Sequence, residues 1–294
     1  MRRSLLFLPG NSPVMLQNGA VLPADCLIMD LEDAVAPDQK DAARLLVSSA
    51  LSSIDYSQEI IIRINPLDSD HWRQDLETVI PRAPDVIMSA KSCVETVRQV
   101  SSALTDLEKL HGIEVGSTRI IPLIETALGI EQAYDIATAS ERVVALFLGA
   151  EDLAADLRCL RTKQGREIFY SRSRLVMAAR AAGIDAIDTP FTDVQDDEGL
   201  VDDATLARGL GFSGKAAISP RHLQAINEVF SPRPEAITYA LEVMAALEAG
   251  KRAGKGAVSL HGKMIDAPIA ARARQVLTEA RELGLLVDDE RSIK

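Results

Sequence analysis

Residues 119–152, RIIPLIETALGIEQAYDIATASERVVALFLGAED, contain the unit on which the reading of the fold turns. RIIPLIET (119–126) and VVALFLGAED (143–152) are short, mostly apolar runs, the pattern of parallel strands covered on both faces. Between them, 129–138 is spaced as a helix. Six further runs repeat the pattern: LLFLP (5–9), CLIMDLED (26–33), IIIRINP (60–66), VIMSAK (86–91), IDAIDTP (184–190) and KAAISP (215–220). Helical spacing fills 37–52, 69–80, 93–110, 171–182, 196–208 and 222–229, and more weakly 12–22, which contains Gly19. Eight alternations without a long interruption favour an α/β chain closed as a (β/α)8 TIM barrel over an open, doubly wound sheet.

After the eighth unit, SPRPE (231–235) carries two prolines and reads as a linker. A barrel domain is therefore expected over 1–230 and a C-terminal helical extension over 231–294. The extension holds a helix over 235–249, with Ile237, Leu241 and Met244 on one face, and another over 267–283. The glycine-rich stretch between them, GKRAGKGAVSLHGKMIDAP (250–268), reads as a lid or a flexible connector.

The 294 residues carry 32 Lys plus Arg against 43 Asp plus Glu, a net charge of −11. That balance argues against nucleic acid or an anionic membrane as the main partner, while a local basic patch could still hold an anion. No apolar run approaches the roughly 20 residues of a membrane span, and MRRSLLFLPGNSP reads as a first strand rather than a signal peptide. Cys26, Cys93 and Cys159 show no CxxC spacing and read as reduced core thiols, which fits a cytoplasmic protein. GLGFSG (209–214) matches a nucleotide-loop glycine pattern, but a helix precedes it and a strand follows, the reverse of what phosphate binding needs. Its glycines read as a helix cap and a turn. The four histidines lack zinc spacing, and no serine sits in GxSxG.

Parallel barrels bind ligands at the carboxyl ends of their strands. There the runs place Asp30, Glu32 and Asp33; Arg63 and Asn65; Lys91; Glu125; Glu151 and Asp152; Thr189; and Ser219. Six acids and two bases on one rim repel unless a cation sits among them. All-oxygen ligands suit Mg²⁺ or Mn²⁺, and Glu125 with Asp152, on adjacent strands, form the natural pair. Taken singly, each acid also fits a helix cap or a solvated loop.

RRSLLFLPGNSP (2–13), DLEDAVAPDQKDAAR (30–44), RINPL (63–67), PLIETALGI (122–130), LGAEDLAADL (148–157), AARAAGIDAIDTPFTD (178–193), ARGLGFSGKAAISP (207–220) and GKMIDAP (262–268) occur in one order. In that order they resemble the citrate lyase beta-subunit-like family, which groups with malyl-CoA and citramalyl-CoA lyases in the HpcH/HpaI aldolase superfamily. The resemblance implies a (β/α)8 barrel and Mg²⁺ held by Glu125 and Asp152. It implies that Arg63 binds a substrate oxygen and that Glu32 and Asp33 hold water around the ion. Asp266, matching an MID motif, would act as acid or base in the site of a neighbouring subunit, in a homotrimer or dimer of trimers.

The implied reaction is reversible carbon–carbon cleavage of a 3-hydroxyacyl-CoA such as malyl-, citramalyl- or citryl-CoA, giving a 2-oxo acid and an acyl-CoA. A citrate lyase beta subunit acting on a carrier-bound citryl thioester, or a metal-dependent aldolase on free 2-oxo acids, are the alternatives. A silent scaffold need not keep Arg63, Glu125, Asp152 and Asp266 together. Arg2, Arg3, Lys40 and Arg44 are candidate contacts for the polyanionic coenzyme. Lys91 reads either as an electrostatic or phosphate contact or as a surface residue. Two departures stand out: MSAK (88–91) where relatives usually have LPK, and Ser219 where many have His.

Overall fold

The computed structural model of the chain describes residues 1–252 and 258–286. It divides into two compact units, Arg2–Glu228 and a second from Val229 onward that includes Met1.

In the first unit eight parallel strands close into a barrel in chain order: β1 (Ser4–Pro9), β2 (Cys26–Asp30), β3 (Glu59–Ile64), β4 (Val86–Ser89), β5 (Arg119–Ile124), β6 (Ala145–Leu148), β7 (Asp185–Asp188) and β8 (Gly214–Ala217). The (β/α)8 expectation holds. Alternate residues point inward, so Leu5, Ile28, Ile61, Met88, Ile121, Phe147, Ile187 and Ala216 fill the interior. Their neighbours Leu6, Leu27, Ile62, Ile87 and Leu146 are equally buried. Both faces are therefore covered, and this is why the strands read as unbroken apolar runs.

The predicted strands overrun at their carboxyl ends. Ladder pairing stops at Asp30, Ile64, Ser89, Ile124, Leu148, Asp188 and Ala217, and the following residues turn into the loops of the barrel mouth. The largest difference lies after β6. Gly149 turns the chain and residues Ala150–Asp156 form a helix of 7 residues, placing Glu151 and Asp152 in its first turn rather than on a strand. Seven residues are too few to show a helical period against the apolar run before them. As expected, Gly211 ends the helix Asp197–Leu210 in a left-handed conformation, φ 104°.

Closure depends on Gly214. β8 pairs with β1 in the register Ser4↔Lys215, Leu5↔Ala216 and Leu6↔Ala217. A Cβ at 214 would stand 1.8 Å from the Arg2 carbonyl oxygen, so no side chain fits where the last strand meets the first.

In the second unit the helices Pro234–Arg252 and Ala267–Glu282 pack through Ala240, Val243, Ala273 and Leu277, joined by Ile237 and Met244. Leu241 does not join them. It is 45% exposed, because Ala240 and Val243 occupy the buried stripe instead. Within the described part of the glycine-rich stretch, Val258–Leu260 and Lys263–Ile265 form an antiparallel hairpin. Its turn residues, His261 and Gly262, both have positive φ (49° and 77°), as a tight two-residue hairpin turn requires. Residues 253–257 of that stretch lie outside the described residues.

All three cysteines are free, but only Cys26 is a core thiol. Cys93 and Cys159 are half-buried, since Cys93 caps the start of a helix and Cys159 lies in the loop after Ala150–Asp156 rather than on a strand. No described helix is long and apolar enough to cross a membrane.

Gly214→Ala is expected to lower unfolding stability by about 2 kcal/mol or more, the upper range for forced overpacking. Urea denaturation checks this, and an unchanged midpoint would show that β1 and β8 part without penalty.

Candidate active site

The strand ends open into a cavity of about 410 Å³ lined by Phe7, Asp30, Asp33, Arg63, Glu125, Glu151, Asp152 and Thr189, with Leu123 and Phe147. Each polar residue is delivered by its strand or by the turn that follows it.

Arg63 is the penultimate residue of β3 and lies opposite Asp30 in the ladder. Its Nε and Nη2 donate to the two oxygens of Asp30 at 2.7 and 2.6 Å. Asp30 also accepts the backbone N–H groups of Glu32 (2.9 Å) and Ala34 (3.0 Å), so the arginine and the following loop share one anchor. The Phe7 ring lies 5.0 Å from the guanidinium carbon. Nη1 remains, 3.0 Å from Glu32 Oε2 and 3.6 Å from Asp33 Oδ2. Burial opposes the charge on Arg63, but Asp30, Glu32 and Asp33 outweigh it and raise its pKa. The guanidinium is charged at any ordinary pH.

Glu125 directly follows β5 and is 4% exposed. Lys91, in a left-handed conformation (φ 45°), turns its backbone N–H onto Glu125 Oε1 at 2.6 Å. On the other side a Cβ at Gly149 would lie 2.7 Å from Glu125 Oε2, so a glycine is what leaves the carboxylate its place. Burial raises the Glu125 pKa to about 8, and the charges of Glu32 and Asp152 add to that rise. Glu32, buried beside Arg63, is raised to about 7, again chiefly by burial. Its Oε2 has no hydrogen-bond partner aligned with it.

Two buried carboxylates held at raised pKa beside the exposed Asp152 form an all-oxygen set in need of positive charge. That set fits a hard divalent ion. Among the described residues no three His, Cys, Asp or Glu side chains form a ready metal cage, so such an ion would take its remaining ligands from water or substrate.

Not every rim residue reaches the cavity. Asn65 turns away, its Nδ2 donating to Asp75 Oδ2 (2.7 Å) and the Leu31 carbonyl (3.0 Å). Ser219 caps the short turn Pro220–His222 by accepting the Arg221 N–H at 3.3 Å. Glu151 does line the mouth, but it is 57% exposed there and lies 3.4 Å from Arg161. Asp266 belongs to the second unit, where it caps the helix Ala267–Glu282 by accepting the Ile269 N–H at 2.9 Å.

The predicted basic cluster for a coenzyme does not form. Arg2 pairs with Glu59 and Asp185, and Arg3 with Asp25, all at the amino ends of the strands, opposite the mouth. Lys40 is buried and donates to the Leu31 and Glu32 carbonyls, and Arg44 pairs with Asp41 and Asp75. Each charge is committed to a structural acid or carbonyl. Asp30 as the anchor of Arg63, Gly149 beside Glu125, and Phe7 carry no local sequence signal, because each acts on a partner from another strand.

A closed parallel barrel whose carboxyl-end cavity gathers carboxylates around one anchored arginine defines a TIM-barrel enzyme site. Residues 3–220 match the family described as HpcH/HpaI aldolase/citrate lyase, and the chain belongs to it. Citrate lyase subunit beta of Leuconostoc mesenteroides subsp. cremoris is 41% identical over 99% of this chain and 96% of its own length. L-malyl-CoA/beta-methylmalyl-CoA lyase of Cereibacter sphaeroides is 33% identical over 96% and 95%. The crystal structure of protein CitE from Mycobacterium tuberculosis in complex with magnesium, acetoacetate and coenzyme A superposes with a TM-score of 0.77. It is 30% identical, over 95% of this chain and 98% of that one. The expected family resemblance holds.

In chain freed of divalent ions, Glu125 binds a proton over a range where the unfolded chain has released it. Stability should therefore fall as pH rises from about 4.5 towards about 8. Glu125→Gln should flatten that fall. Urea unfolding in EDTA across this range tests it, and equal slopes in the two proteins would contradict the burial argument.

Proposed function

We propose that the chain is a Mg²⁺-dependent carbon–carbon lyase that cleaves, or forms, a 3-hydroxyacyl thioester, with a 2-oxo acid and an acyl thioester as the other side of the reaction. The observation that carries this reading is the convergence of Glu125, Asp152 and the Asp30-anchored Arg63 on one cavity. Glu125 and Asp152 are the residues that would hold the ion, and Mn²⁺ suits the same oxygens. When bound, the ion supplies Lewis acidity towards the hydroxyl and carboxylate of the substrate.

The chain's own groups do the rest. Arg63 is held by Asp30 through two bonds, which leaves Nη1 to donate to an oxygen that gains charge as the carbon–carbon bond breaks. Asp30, the Phe7 ring and the following loop hold the guanidinium before substrate arrives, and a substrate oxygen would share Nη1 with Glu32. Glu32, with its unaligned oxygen, and Asp33 are placed to accept from water at the edge of the site. Leu123 and Phe147 exclude water from the floor. Asp266 would give a proton to the thioester enolate, or take one in the condensing direction, from a neighbouring subunit of a homotrimer or dimer of trimers. That role rests on the family resemblance, as does the oligomer. The free thiols suit a cytoplasmic setting.

A second reading, a beta subunit acting on a carrier-bound thioester within a complex, is favoured by one observation. Identity to named citrate lyase beta subunits (41%) exceeds that to the malyl-CoA lyase (33%).

With Mg²⁺ and malyl-, citramalyl- or citryl-CoA, the purified protein should release a 2-oxo acid. EDTA should abolish release, and Asp152→Ala should lower it by about a hundredfold or more, the loss of several kcal/mol of charge stabilisation. Silence on all free thioesters with turnover of a carrier-bound one would select the second reading, and silence on both would overturn the lyase assignment. Mixing Asp266→Ala with Glu125→Ala protein under subunit exchange should restore part of the activity. No restoration in exchanged oligomers would remove Asp266 from a neighbour's site.

A further inference from the structure

Behind the cavity wall lies a group of buried charges that the proposed chemistry does not use. Lys215 of β8 has no exposed surface, and its Nζ lies 2.6 Å from both Asp188 and Asp203. Arg172, equally buried, donates to Asp188 through Nε and Nη2, both at 2.9 Å, and to Asp203 at 2.8 Å. Two cations and two carboxylates balance, and any displacement would leave a buried charge without its partner. The quartet is therefore a stiff point in the fold.

It has one outlet towards the mouth. Lys215 Nζ also donates to the Thr189 carbonyl at 2.7 Å, fixing the residue that follows β7. The Thr189 hydroxyl in turn accepts the N–H of Ala150 at 3.3 Å. Ala150 is the first residue of the helix Ala150–Asp156, whose first turn carries Asp152. At the other end Asp156 Oδ2 accepts the Ala127 N–H at 2.7 Å, two residues beyond Glu125. The helix is thus tied at one end to the β5 loop and at the other to Thr189. A helix of 7 residues has too few internal hydrogen bonds to hold its own orientation, so these two ties help to set it, beside the buried Leu153 and Ala154 and the Gly149 N–H bonded to the Ile124 carbonyl at 2.9 Å.

We propose that Thr189 is a positioning residue: its hydroxyl, fixed through Lys215 by the buried quartet, orients the Ala150–Asp156 helix so that Asp152 stands where Glu125 can share a divalent ion with it. The proposal rests on the reading of Glu125 and Asp152 as the ion's holders. The isosteric Thr189→Val removes the acceptor and keeps the shape, whereas Thr189→Ser keeps the acceptor.

The test measures Mn²⁺ affinity of the full-length chain by electron paramagnetic resonance and calorimetry, alongside thermal unfolding of the ion-free proteins. Thr189→Val should bind Mn²⁺ about tenfold more weakly, the lower range for losing a group that orients a ligand. Thr189→Ser should bind as the parent does. Equal affinity in Thr189→Val, even with lowered stability, would overturn the proposal and leave a packing role. Equal weakening in both variants would overturn the role of the hydroxyl. No Mn²⁺ uptake by the parent protein would overturn the ion-site reading itself, a result separate from either of these.

Discussion

The hydrogen-bonded seam between β1 and β8 is the constraint from which the remaining features follow. Lys215 donates its backbone N–H to the Arg3 carbonyl at 2.9 Å, and Gly214 lets the two backbones meet. Once the sheet closes, eight strand ends must share one rim, and residues far apart in sequence become neighbours. Asp30 and Arg63, 33 positions apart, become ladder partners only because β2 and β3 run side by side within that ring.

The chain treats its buried charges differently at different places. Around the barrel they are balanced. Arg142 is matched by Glu108, whose pKa is held low despite burial by Arg142 and the N–H groups of Gly116 and Thr118. Arg172 and Lys215 are matched by Asp188 and Asp203. At the mouth the balance is broken. Arg63 answers Asp30, while Glu125 and Glu32 are left with raised pKa values beside Asp152, so each must hold a proton or meet further positive charge. An uncompensated buried carboxylate opposes folding, so its retention at one site, beside several matched clusters elsewhere, marks that site as the one built for a ligand.

Much of this was legible along the chain, and the parts that were not share a physical cause. The eight strands and most helices were readable because burial on both faces writes itself locally, as unbroken apolar runs separated by periodic ones. Arg63, Glu125 and Asp152 could be gathered because strand ends in a parallel barrel share a face. The reading failed where structure depends on partners. Arg2, Arg3, Lys40 and Arg44 look like a basic patch along the chain, but acids from other elements take the three arginines and backbone carbonyls take Lys40. Asn65 looked like a rim residue until Asp75 drew it aside. The hairpin Val258–Leu260 with Lys263–Ile265 was hidden because three-residue strands carry too little alternation, and its glycines suggested a loop.

The apolar plug of the barrel also affects the timing of events at the site. Leu5, Ile28, Ile61, Met88, Ile121 and Phe147 fill the interior beneath the cavity, so traffic passes through the mouth alone. A well with one opening imposes a queue. Of two fragments made inside it, the one resting against the floor cannot depart until the one above has gone, and on the way in it must be first. Depth in such a well, rather than strength of binding, would then set the order of events.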